Sequence, residues 1–103
     1  MTVVELLADE SKWCQGAQAR DKNGEAVDPN SPDACCWCLI GSVKRCYSGF
    51  DVQRVLELVQ DYLYQIEFCR RPNFYQTSAL WIWNDVSERT YDQVIQMFGC
   101  IGA

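Results

Sequence analysis

Between Val52 and Ile66 the apolar side chains fall three or four positions apart: Val52, Val55, Leu56, Val59, Tyr62, Leu63 and Ile66. At 3.6 residues per turn this spacing gathers all of them on one stripe of a helix, and such a stripe has to be buried against other elements. The pattern therefore predicts a core helix. Asp51 caps its start, and Arg70-Arg71-Pro72 closes it, with two cations at the negative end of the helix dipole and a proline that cannot continue the turn. A chain of 103 residues can remove roughly 65% of its unfolded surface from water, so residues 1–103 are expected to form one helical domain that needs neither metal nor disulfide.

The flanking segments fit a mainly α fold of about four helices. Thr2-Val3-Val4-Glu5 is a capping box opening a short helix through Leu7, and Asp9 or Ser11 can start another turn carrying Trp13, Cys14 and Ala17. From Asp21 to Asp33 the chain is a loop, with an Asn23-Gly24 turn and breakers at Pro29 and Pro32. Ser31-Pro32-Asp33 supplies an N-cap, a first-position proline and a first-turn acid for a helix to about Tyr47, which Ser48-Gly49 ends. A second capping box, Thr90-Tyr91-Asp92-Gln93, opens a last helix with Tyr91, Val94, Ile95 and Phe98 buried and Gly99 at its end. Bulky and β-branched residues at 79–83 suggest a short extended segment there.

Seven cysteines and no histidine remove imidazole from every mechanism open to the chain, including catalytic triads, Cys-His dyads and histidine metal ligation. No catalytic residue is assigned. The N-terminus has neither a basic segment nor a continuous apolar run, and uncharged stretches such as Ala34 to Val43 are too short to span a bilayer. A soluble, cytoplasmic protein with most thiols reduced is expected. A net charge of −5 argues against direct nucleic-acid binding, whose affinity comes chiefly from lysine and arginine, and favours basic partners.

Three segments carry a family resemblance: Trp13-Cys-Gln-Gly-Ala-Gln-Ala-Arg-Asp21, Trp37-Cys-Leu-Ile-Gly41, and Trp83-Asn-Asp85 followed by Arg89-Thr90 and Val94. In order and spacing the chain resembles a family of small, functionally uncharacterised proteins of bacteria and their phages. The resemblance implies a small helical domain in a bacterial or phage setting, and brings no activity, cofactor or catalytic residue with it.

Gly16, Ala17 and Ala19 on one segment, and Gly41 with Ser42 on another, suit close backbone approach, with Trp13 and Trp37 covering the junction. Arg20, Asp21, Asn84, Asp85 and Arg89 admit two readings. They can form a polar site, since arginine beside carboxylate grips an anionic ligand and paired acids hold Mg²⁺. They can equally be structural, with Asp85 pairing with Arg89 four residues on and Asn84 capping a turn. The cysteines are read as small buried hydrophobes with no metal bound. The alternatives are a four-thiolate zinc site from Cys35, Cys36 and Cys38 with Cys14 or Cys46, and a thiol nucleophile at Cys35 or Cys36.

Two function classes follow. The first is a non-enzymatic accessory protein, without cofactor, that binds and modulates a host protein or complex, a bacterial defence system being one such target. Its contact residues would be Phe50, Phe74, Tyr75 and Trp81, aromatics beyond the needs of the core. A homodimer is compatible with the sequence. The second class is a small ligand-binding or enzymatic domain built on the Arg20, Asp21, Asn84, Asp85 and Arg89 group.

Overall fold

The computed structural model describes residues 1–66 and 77–103. Arg70, Arg71, Pro72, Phe74 and Tyr75 thus lie outside the described residues. Both capping boxes form. Thr2 Oγ1 accepts from the Glu5 amide at 3.1 Å while Glu5 Oε1 accepts from the Thr2 amide at 2.9 Å, opening α1, Val3–Leu6. Asp9 then caps a 3-10 turn, Glu10–Lys12, by accepting from the Ser11 amide at 2.9 Å.

Two short strands follow, β1 (Ala19–Arg20) and β2 (Cys36–Trp37), paired antiparallel with Ala19 opposite Trp37 and Arg20 opposite Cys36. Trp13 bridges to Trp37 in parallel, so β2 lies between the two arms of the first motif. This corrects the expectation of a helix from Pro32. Cys36 and Trp37 engage their backbone with the first motif, and Cys38 becomes the N-cap of α2, Leu39–Cys46, its sulfur accepting from the Gly41 amide at 3.4 Å. The loop before β2 is tied down from the same side: Trp37 Nε1 donates to Pro29 O at 2.9 Å, and Arg45 donates to Pro29 O and Ser31 O while lying 5.3 Å from the Trp37 ring centre.

The strongly periodic segment forms α3, Phe50–Ile66, with Val55, Leu56, Val59 and Leu63 buried. Residues 79–83, expected to be extended, lie within α4, Thr77–Asp85. Leu80, Trp83 and Asn84 are buried there, at three- and four-residue spacing, whereas Trp81 and Ile82 stay exposed. Burial on one helical face overrides the strand preference of the bulky side chains. The last helix, α5 (Tyr91–Ile101), runs past Gly99 and is ended by Gly102, whose φ of 76° is the left-handed conformation glycine adopts without strain.

Among the described residues, then, there are five α-helices and a minimal two-stranded sheet whose β2 packs on α2. The architecture is mainly α, with one helix more than expected. α2 is central: α1, α3 and α4 pack on it, and α5 closes against α1 and α3. Val3, Leu7, Leu39, Ile40, Val43, Val59, Val94 and Phe98 make the fully buried centre. No helix among the described residues is long and apolar enough to cross a membrane.

Candidate functional site at the first loop and the end of α4

The three motifs meet at Asn84. Its side chain is fully buried; Oδ1 accepts from Trp13 Nε1 at 2.8 Å and from the Leu39 amide at 3.1 Å, and Nδ2 donates to Cys14 O at 3.2 Å and to Asp85 Oδ1 at 2.8 Å. One amide side chain thus joins the first motif, the start of α2 and the end of α4. Gln15 reinforces the joint, its Nε2 donating to Asn84 O at 2.7 Å and Val86 O at 3.0 Å. The small residues allow the approach: a Cβ on Gly41 would stand 1.8 Å from Gln18 O, so only glycine fits there.

The chain belongs to a family of unknown function, DUF6197, matched over residues 2–99. No curated protein and no solved structure matches it.

Within the proposed polar group Asn84 and Asp85 are bonded to each other, while Arg20, Asp21 and Arg89 have separate partners. Arg20 donates to Gln15 O and to Gly24 O, closing the first loop on itself. Asp21 Oδ1 accepts from the amides of Asn23 and Glu25 at 2.8 and 3.0 Å, holding the Asn23-Gly24 turn, and its residue borders an open cavity of about 410 Å³ with Lys22, Pro32, Asp33 and Cys35. Arg89 lies 3.8 Å from the centre of the Trp83 ring and donates to Trp83 O at 2.7 Å and to Gln93 Oε1 at 3.3 Å. The helical pair expected between Asp85 and Arg89 has no helix to form on, because α4 ends at Asp85. Asp85 turns instead to the first motif, Oδ1 accepting from the Gly16 amide at 3.1 Å. Trp83 buries Nε1 without a partner among the described residues.

Cys14 sits beside Cys36, with Cys38 close by, and burial pushes the Cys14 thiol well above the usual thiol range, the neighbouring Cys36 thiol adding to the effect. Burial likewise raises Cys38 and Cys46. Neutral thiols are poor nucleophiles. The described residues contain no group of three or more Cys, Asp or Glu side chains arranged to hold a metal ion. Cys35 and Cys100 are exposed.

Of the aromatic set, Phe50 is almost entirely exposed at the start of α3, and Trp81 is half exposed on α4 beside Ile82. Phe74 and Tyr75 lie outside the described residues. Trp81 and Asp85, assigned to different candidate sets from the sequence, line one small cavity of about 160 Å³ together with Gly16, Ala17 and Cys38. The sequence points to neither Gln15 nor Ile82 at this place, and to Cys38 only as a core thiol or zinc ligand. A helical reading of 77–85 would have found Ile82, since the face opposite Leu80, Trp83 and Asn84 contains positions 81, 82 and 85.

Proposed function

We propose that this protein acts by stoichiometric, non-enzymatic binding to a protein partner, through the α4 face that carries Trp81 and Ile82. The observation that supports this most is the side-by-side exposure of two large apolar residues, 50% and 62% accessible, on a helix whose other face is buried. Adjacent exposed apolar groups next to polar ones are the usual mark of an interaction surface, and tryptophan is enriched among the anchors of such surfaces. The acidic net charge favours a basic partner surface. In the bacterial or phage setting implied by the resemblance, the partner is a host protein or complex whose activity the binding modulates, with a defence system as one such target. The internal engagement of Arg20, Asp21, Asn84 and Arg89 weighs against the catalytic or ligand-binding reading of that group.

The test is capture of a host partner on tagged protein, followed by titration of the purified partner. One-to-one saturation that is lost in Trp81→Ala and Ile82→Ser, and retained in Arg20→Ala and Asp21→Asn, supports the proposal. Loss in the second pair with retention in the first transfers function to the polar group.

A further inference from the structure

Where Trp81 and Asp85 meet, four independent features favour one kind of ligand group. The residues stand one helical turn apart on α4 and line the same cavity, whose remaining walls are Gly16, Ala17 and Cys38. One wall is a half-exposed indole, which attracts a cation through its ring face and covers an aliphatic stem. The only carboxylate in the lining, Asp85, has no ion pair among the described residues, where the sole salt bridge joins Arg54 to Asp51. Asp85 also ends α4, so the negative pole of that helix adds to its charge.

The hydrogen bonds of Asp85 select among cations. Its Oδ1 already accepts twice, from the Gly16 amide and from Asn84 Nδ2, whereas Oδ2 accepts from none of the described residues. A guanidinium binding side-on needs both oxygens of a carboxylate; a lysine ammonium is a point charge that needs one. The Arg20 guanidinium lies against Gly16 but makes no ion pair with Asp85, donating instead to Gln15 O and Gly24 O.

We propose that this cavity is a receptor for one lysine side chain of a basic partner segment, with the ammonium on Asp85 Oδ2 and the aliphatic stem along Trp81 and Ala17. The assignment rests on the partner-binding reading and gives that partner a chemistry: its contact segment presents a lysine beside apolar residues that cover Trp81 and Ile82.

The experiment uses the full chain, isotopically labelled, titrated at low salt with three capped tripeptides, Ala-Lys-Ala, Ala-Arg-Ala and Ala-norleucine-Ala, while the Gly16 amide and Trp81 indole signals are followed. The lysine peptide is expected to move both signals saturably and to bind roughly tenfold more tightly than the uncharged norleucine peptide, the combined size of an exposed ion pair and a cation–π contact. Asp85→Asn, which keeps an acceptor for the Gly16 amide, and Trp81→Leu should each remove most of that preference while leaving the remaining amide spectrum in place. Equal response to lysine and norleucine, preference for arginine, or an undiminished lysine response in Asp85→Asn would each overturn the proposal. Partner capture that depends on Trp81 but is unchanged in Asp85→Asn would leave protein binding standing and remove the lysine receptor; a lysine response with no partner found would do the reverse.

Discussion

Trp13 and Asn84, 71 positions apart in sequence, are joined by a 2.8 Å hydrogen bond from the indole nitrogen to the amide oxygen, and the same oxygen accepts from the backbone of Leu39. Removing the Asn84 side chain would leave the Leu39 donor buried and the Trp13 donor half buried without an acceptor. Each such group costs about 1–3 kcal/mol. Asn84→Ala is therefore expected to lose about 2–4 kcal/mol in urea denaturation. A loss under about 0.5 kcal/mol with an unchanged urea slope would show that water or a shifted neighbour replaces the bond.

The two helical glycines give opposite expectations. A Cβ on Gly41 meets the backbone of Gln18 well inside contact distance, while one on Gly99 meets nothing within 4 Å. Gly41→Ala must push the first motif off α2, and should cost about 3 kcal/mol or more, beyond the usual range for overpacking because the obstacle is backbone. Gly99→Ala should stabilise by about 0.5–1 kcal/mol through helix propensity alone. Thermal melts of the two variants side by side check both signs.

How far the sequence could be read depends on where the determining forces act. The capping boxes at Thr2 and Thr90 and the Val55, Leu56, Val59 and Leu63 part of the α3 stripe are local, set by residues within two or three turns of one another, and they stand in the structure as read. The start of α2 is not local. Ser31-Pro32-Asp33 has the chemistry of a helix start, but Cys36 and Trp37 pair with Ala19, Arg20 and Trp13, contacts of long sequence separation that no window around residue 35 contains. The segment 79–83 failed for a related reason: Trp, Ile and Leu serve strands and buried helices alike, and only the burial of Leu80, Trp83 and Asn84 against α2 decides between them. At the candidate site the motif residues were visible, but not that Asp85 would face Gly16 and Trp81 rather than Arg89.

The buried thiols predict a loss of stability in alkali. Cys14 and Cys38 are raised above an ordinary thiol by burial, so above about pH 8.5 the unfolded chain releases protons that the folded chain retains. Their contribution is fully present below the unfolded value and fades as pH climbs toward the folded one. The urea midpoint, measured in a phosphine reductant, should fall between pH 8 and 10, and Cys38→Ser, which keeps an acceptor at the start of α2, should flatten that fall. A midpoint constant across this range would mean that both thiols titrate normally in the folded protein.

Leu63 and Trp81 should separate stability from binding. Leu63 is 1% exposed in the core against which α2 and α5 close, and Leu63→Ala should cost about 2–5 kcal/mol by leaving a cavity, with no effect on partner affinity for the fraction that remains folded. Trp81 is half exposed, so Trp81→Ala gives up little of the core and should shift stability by less than about 1 kcal/mol. Its effect on partner affinity should instead reach about 2 kcal/mol or more, the size typical of a tryptophan anchor whose surroundings are dried on binding. Denaturation and partner titration on the same two preparations give four numbers. A Trp81→Ala protein that melts early and binds normally would assign the indole to the fold of α4 and move the interaction surface elsewhere.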